Sequence, residues 1–253
     1  MSNNFIKECV RRFLPRRIKA HKILSGPLRG ELIFTSWHDY PGAIRGTTEK
    51  PLIEWFSRHA NKGETWLDVG GHYGYTSIAL SRLVGSSGRV YTFEPMLSTV
   101  GALNQTRGIN GMMNMTILPF ALGSQGGMHR KQLPYVRGML DGGIEIVTHR
   151  ETYLECRFDE IWPSLSDGNS RIDGVKIDVQ GMELEVLKGM RASLKSQKPI
   201  IALEFHHGVD REEVLGVLEA CGYSIPGCLI TEDEANVSML YLDDHSYVFS
   251  AGQ

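Results

Sequence analysis

Thr65-Trp66-Leu67-Asp68-Val69-Gly70-Gly71-His72-Tyr73-Gly74-Tyr75 sets the architecture of this chain of 253 residues. Trp66, Leu67 and Val69 make an apolar run of strand length, the glycines make a turn, and Ile78, Ala79 and Leu83 give the next segment a helical apolar face. A strand, a tight turn and a helix start bring backbone N–H groups and the positive end of a helix dipole together. That place suits a ligand's negative group.

The next apolar run, Arg89-Val90-Tyr91-Thr92-Phe93-Glu94-Pro95, ends in an acid about 20 positions beyond Gly74, the separation at which a β-α-β nucleotide site holds ribose hydroxyls. The glycines run G-G-x-x-G rather than G-x-G-x-x-G, and no Lys or Arg lies in the loop to favour a pyrophosphate. A ribose cofactor with a carboxylate instead fits better. S-adenosylmethionine is one: its ribose diol matches Glu94, and its aminocarboxylate matches the turn and helix start.

At 42% apolar content the chain can bury a full core as one domain. A net charge of −2 gives no reason to expect nucleic acid as a partner. Cys9, Cys156, Cys221 and Cys228 form no CxxC and no zinc spacing, which suits free thiols in a reducing compartment. No apolar run approaches the ~20 residues of a bilayer span, and the charged start does not read as a signal peptide. A cytoplasmic location is expected.

Residues 1 to 22 hold Lys7, Arg11, Arg12, Arg16, Arg17, Lys19 and Lys22 against one acid, Glu8. Ile6, Val10, Phe13 and Leu14 fall at helical spacing and Pro15 ends that helix, so the segment is amphipathic and basic. It reads first as a packed terminal helix, and second as a peripheral contact of residues 5–22 with the anionic inner face of a membrane. Glu31 to Trp37 predicts an accessory strand. Thr48 predicts a helix cap, with Pro51 in the first turn and Leu52, Trp55, Phe56 and His59 on one face.

Beyond Glu94 a helix from about Leu97 to Gly108 leads to a strand at Met115 to Leu118, and then to Phe120-Ala121-Leu122. Residues 124–158 are less regular. Ile144/Ile146 and Leu154/Cys156/Phe158 alternate as short strands, and His129, Arg130, Lys131 and Arg137 read as a basic loop. Val175 to Val179 and Ile200 to His207 are further strands, the first followed by a helix. Asp210 and Glu213 have capping-box spacing for another helix. Tyr223 to Ile225, Met239 to Tyr241 and Tyr247 to Phe249 are expected to finish the sheet as a hairpin.

Leu67-Asp68-Val69-Gly70-Gly71-His72-Tyr73-Gly74, Phe93-Glu94-Pro95, Val175-Lys176-Ile177-Asp178-Val179-Gln180-Gly181-Met182-Glu183 with Leu187-Lys188-Gly189, and Leu203-Glu204 together resemble the FkbM family of S-adenosylmethionine-dependent methyltransferases. The likeness covers roughly residues 48 to 207, and its K-I-D-V-x-G-x-E segment is its most specific part. Gln180 stands where the family most often has Glu, and Gly71 where it often has Ala. The resemblance implies an α/β, Rossmann-like class I methyltransferase fold. Its seven-stranded, mostly parallel sheet has order 3-2-1-4-5-7-6, with strand 7 antiparallel and helices on both faces. It also implies O-methylation of a hydroxyl on a sugar, glycolipid or secondary metabolite. The chain then divides into residues 1–47, a basic helix and accessory strand, and residues 48–253, a methyltransferase domain with an insert at 124–158.

In that frame Gly70, Gly71 and Gly74, with His72 between them, let the backbone approach the cofactor. Asp68 orders the turn or receives the ammonium, Glu94 with Pro95 takes the ribose, and Phe120, Ala121 and Leu122 border the adenine. The resemblance alone places Glu49 at the methionine end. Methyl transfer to an alcohol also needs a base, and Asp178, Glu183, Glu204, His206 and His207 gather at strand ends. Strand alternation points one of the two histidines inward, and His206 with Asp178 and Glu204 is the set expected to carry catalysis. The same three residues could hold a divalent cation, a less favoured reading, so no metal is assigned. Lys176 is expected to pair with one of these acids.

The acceptor is expected to be a small molecule or a glycan- or lipid-linked hydroxyl, with specificity residing in residues 24–47 and 124–158. Two rivals stand beside this reading: an NAD-dependent oxidoreductase, whose common Tyr-x-x-x-Lys pair is missing, and a non-catalytic S-adenosylmethionine-binding protein. Walker, HExxH and GxSxG motifs are also missing.

Overall fold

The computed structural model describes residues 13–134, 150–166, 171–231, 236–237 and 240–252. Its first elements, β1 (Lys19–Lys22) and β2 (Leu32–Thr35), pair antiparallel outside the main sheet. Most of the expected basic helix, including Ile6 and Val10, lies outside the described residues, and the end of the basic segment is strand β1. A short helix, α1 (Pro41–Arg45), follows. Helix α2 (Lys50–His59) starts one residue later than a Thr48 cap implies, because the Thr48 side chain is hydrogen-bonded to Tyr40 and Glu49 takes the cap position.

The strands β3 (Thr65–Val69), β4 (Arg89–Phe93) and β5 (Met115–Leu118) come next. Then β6 (Ala121–Gly123), β7 (Met128–Pro134) and β8 (Arg150–Arg157) form a separate three-stranded sheet. His129, Arg130 and Lys131 therefore lie in a strand rather than a basic loop, with Lys131 3.5 Å from Glu155. Arg137, Ile144 and Ile146 lie outside the described residues. The main sheet continues with β9 (Gly174–Ile177), β10 (Ile200–Phe205), β11 (Cys228–Leu229), β12 (Asn236–Val237) and β13 (His245–Phe249).

Its order is β12-β11-β13-β10-β9-β3-β4-β5. The five strands from β10 to β5 are parallel, and β13 runs antiparallel to β10. The sheet is thus Rossmann-like, with eight strands instead of seven. In the expected hairpin, Leu240 and Tyr241 pair with no strand and Tyr223 makes only an isolated bridge to Ala251. Tyr241 packs its ring on Phe205, Tyr247 and Phe249 instead, and its hydroxyl accepts the Gly227 N–H at 2.9 Å.

Every residue of β3 is buried, because parallel strands flank it and helices cover both faces. Leu67, Val69, Phe93, Val175, Ile177 and Leu203 enter one apolar layer, packed by α5 (Phe158–Leu165), α6 (Glu183–Gly189), α7 (Arg191–Gln197) and α8 (Arg211–Ala220). Trp66, Val90 and Ala202 enter the other, with α2, α3 (Tyr75–Val84) and α4 (Leu97–Ile109). Alternation along each strand puts Asp68, Thr92, Lys176 and Glu204 on this second face. Asp68 is in register with both Thr92 and Lys176.

The turn after β3 needs glycine for a different reason than ligand approach. Gly70 has φ 87°, and a Cβ there would fall 1.8 Å from the Asp178 carbonyl oxygen. The Gly70 and Gly71 N–H groups both donate to the Phe93 carbonyl, at 2.9 and 3.0 Å, so these amides stitch β3 to β4 rather than face a ligand. A Cβ on Gly71 would lie 2.1 Å from Thr92 Cγ2. Gly71→Ala should therefore destabilise by about 1–3 kcal/mol through overpacking. Adding Thr92→Ser removes that methyl, keeps the hydroxyl that donates to Ser77 at 3.1 Å, and should recover most of the loss. Urea unfolding of both variants checks this; equal midpoints for single and double variant would refute it.

Candidate active site

A cavity of about 400 Å³ opens at the carboxyl ends of β3, β4 and β9, where open α/β sheets place their ligands. Glu94, one residue past β4, is buried in its wall. Its Oε2 accepts the His72 N–H at 2.9 Å and its Oε1 the Met96 N–H at 3.0 Å. Burial nevertheless pushes the carboxyl up to about 7. Each ionised oxygen keeps acceptor capacity, so the pair can take two neighbouring hydroxyls. Pro95, Phe120, Ala121 and Leu122 line the same cavity, as do Gly70, Gly71 and His72. Gly74 does not: its missing Cβ would meet Leu103 at 2.6 Å.

Lys176 lies beneath the turn. Its Nζ donates to the Gly70 carbonyl at 2.8 Å and sits 3.4 Å from Asp68 Oδ1 and 3.2 Å from Asp178 Oδ2. Burial alone would depress this ammonium, but Asp178, Asp68, Glu49 and Glu204 outweigh it and hold its pKa above the ordinary value. Asp68 is fully buried and is not part of the cavity wall. Its Oδ2 accepts the hydroxyls of Thr76 at 2.8 Å and Ser77 at 2.6 Å, contacts that order the turn and the start of α3. Asp178 does line the cavity. Its burial favours the neutral acid, yet Lys176 and then His206 hold it below the usual carboxylate range.

His206 is buried one layer further back. Its Nδ1 meets Glu183 Oε1 at 2.6 Å, while Nε2 lies 2.8 Å from Gln180 Nε2, 3.4 Å from Asp178 and 3.6 Å from Glu204. Desolvation lowers its pKa, but Glu183, Asp178 and Glu204 raise it overall. The His207 side chain is 97% exposed beside Asp243. Of the three residues expected to carry catalysis, then, only Asp178 reaches the wall. His206 and Glu204 stand behind it, with the Gln180 side chain between His206 Nε2 and the lining at 2.8 Å from that nitrogen. Asp178, Glu204 and His206 present ligand atoms within 4.8 Å of one another, as a cation site would, but the Lys176 ammonium already supplies positive charge there.

Tyr40, Tyr75 and Tyr153 also line the cavity. The buried Tyr75 hydroxyl has no hydrogen-bond partner among the described residues. Its place immediately after the last glycine of the turn was the available signal. Three lining residues, Glu49, His72 and Gln180, adopt left-handed backbone at φ 51°, 46° and 55°. Such conformations are costly for side chains other than glycine and cluster at functional sites. No sequence pattern announces them.

A family model, the Methyltransferase FkbM domain, matches residues 68–225. The chain belongs to the FkbM methyltransferase family. A hexuronic acid methyltransferase, AglP of Haloferax volcanii, is 28% identical over 195 residues, covering 76% of this chain and 75% of that protein. Among solved structures, the methyltransferase FkbM of Methylobacillus flagellatus KT is 17% identical with TM-score 0.49, over 83% of this chain and 52% of that one. Aeropyrum pernix fibrillarin, crystallised with natively bound S-adenosyl-L-methionine, is 16% identical with TM-score 0.49, over 92% and 88%.

This FkbM protein is an S-adenosylmethionine-dependent methyltransferase. Its residues fit that cofactor: Glu94 offers two acceptors for a ribose diol, and the unpartnered Tyr75 hydroxyl is a donor for a carboxylate. To take both hydroxyls of a ribose diol, Glu94 would have to be ionised. With a pKa near 7 it is about one-tenth ionised at pH 6 and about nine-tenths at pH 8, so affinity for S-adenosylhomocysteine should rise about tenfold over that interval. Glu94→Gln should bind weakly with no such slope. Calorimetry in matched buffers reads both, and a wild-type Kd that ignores pH would sink the assignment.

Proposed function

We propose that this FkbM methyltransferase methylates a hydroxyl of a neutral, sugar-like acceptor. The observation that carries the reading is the hydrogen-bonding character of the cavity away from Glu94. There Tyr40, Glu49, Asp178 and Gln180 contribute donors and acceptors suited to a polyhydroxylated ring. Lys176 is the one Lys or Arg of the lining among the described residues and is already held by Asp68 and Asp178, so nothing there is free to pair with a uronate carboxylate, and an uncharged sugar is favoured. The AglP relative, a hexuronic acid methyltransferase, supports the sugar class more than the charge.

When bound, the cofactor supplies an electrophilic methyl group on a sulfonium, and the protein's part is alignment and exclusion of water. In this reading Glu94 holds the ribose, with Phe120, Ala121 and Leu122 against the adenine. Asp178, kept ionised by Lys176, puts negative charge beside the sulfonium. His206 and Glu204 act through Asp178 and Gln180 as positioning residues. Tyr40 and Tyr153 bring the irregular stretches 24–47 and 124–158 to the wall, where acceptor choice resides. Release of S-adenosylhomocysteine should depend on added acceptor and be faster with neutral methyl glycosides than with the matching uronates. Release unchanged by any glycoside would refute the sugar reading.

The basic start fits a lipid-linked version of such an acceptor. Residues 1–30 hold eight Lys and Arg against Glu8, in a chain of net charge −2. Among the described ones Phe13, Arg16, Arg17, Lys19 and Lys22 are exposed. Each basic residue near an anionic surface contributes about 1 kcal/mol. The enzyme should cosediment with phosphatidylserine vesicles, not with phosphatidylcholine ones, and be released by salt. Equal partition onto both would remove the membrane proposal.

A further inference from the structure

An alcohol must lose a proton as its oxygen takes the methyl group, and the geometry disqualifies most of the nearby bases. Asp178 is held 3.2 Å from Lys176 and 3.4 Å from His206, which makes it a weak base. His206 commits Nδ1 to Glu183, and Glu204 accepts the Ser246 hydroxyl; neither reaches the cavity wall. Glu94 already accepts two amides and faces the ribose position. One carboxylate of the lining is left, that of Glu49.

Glu49 is not built as a structural cap. It occupies the N-cap of α2 in left-handed backbone at φ 51°, yet its side chain accepts no N–H of that helix. Among the described residues no hydrogen bond or ion pair ties its carboxylate down. The charged and titratable groups facing it come from every surrounding element. Glu204 lies on β10, Lys176 on β9 with Asp178 just past its end, and Asp68 on β3; Tyr40 precedes α1 and Tyr75 begins α3. Its neighbours are thus the ends of β9 and β10, away from the ribose position at the end of β4.

We propose that Glu49 is the general base of the reaction. The acceptor oxygen forms its bond to the methyl carbon as the carbon–sulfur bond breaks and leaves its electron pair on sulfur. The hydroxyl proton passes to a Glu49 carboxylate oxygen. Desolvation, then Glu204 and Asp178, push this carboxyl up to about 8, which makes it a stronger base than an ordinary carboxylate. The inference rests on the hydroxyl-acceptor reading above, and it replaces the methionine-end role that family resemblance implies for Glu49.

The test uses the full chain, the fastest methyl glycoside of the acceptor survey, and two variants: Glu49→Gln, and Glu49→Asn, whose side chain tolerates left-handed backbone. Both should lose about 10²–10⁴-fold in kcat, while calorimetric affinity for S-adenosylhomocysteine stays within about twofold of wild type. At saturating S-adenosylmethionine, where Glu94 is already engaged, the rise of kcat toward pH 8 should vanish with them. Undiminished kcat in either variant overturns the role, as does affinity for S-adenosylhomocysteine that falls in step with the rate, which would return Glu49 to the methionine end. A wild-type enzyme that methylates no glycoside overturns the acceptor reading, and Glu49's role with it.

Discussion

A single buried ammonium, that of Lys176, ties the sheet to the cavity. The β3/β9 register sets it beside Asp68, and the same Nζ reaches the Gly70 carbonyl and Asp178. Through Asp68 it is linked to the hydroxyls of Thr76 and Ser77 that open α3. Turn, helix start and cavity floor are therefore one electrostatic unit. Breaking a buried ion pair is far costlier than never having had one, because the stranded charge stays out of water. The position tolerates nothing that cannot serve three acceptors at once.

The cavity built on that floor has two unlike ends. At one, the Glu94 carboxylate is fixed by two backbone amides, His72 N–H and Met96 N–H. At the other, Glu49 and Gln180 are held in strained backbone beside Asp178, with His206 and Glu183 bracing from behind. The two ends share none of these side chains.

The parts of this design that can be read in the letters are those governed by period and spacing. Trp66, Leu67 and Val69 announce a doubly covered strand, and the distance from Gly74 to Glu94 announces a carboxyl that does line the cavity. Alternation says that His206 and His207 point opposite ways, but only the placement of β10 says which is inward, and only the structure shows that the inward one contacts Gln180 and does not line the cavity. Glu49 as a non-capping cap is equally hidden, since Thr48 is the better cap by residue type and loses that role to its bond with Tyr40. Strands of two residues, β11 and β12, are too short to carry a period. Tyr241 looks like strand and serves as packing.

The contact between the bare α-carbon of Gly71 and the methyl of Thr92 carries a historical consequence. The family resemblance implies alanine as a common residue at the position of Gly71, and in this backbone its methyl and the threonine methyl claim the same space. A lineage passing between the two states has an open road only in one direction of steps: the residue on β4 has to shrink first, and the turn can acquire its side chain afterwards. The two positions should drift as a linked pair, although they lie in different elements and neither touches the reacting atoms.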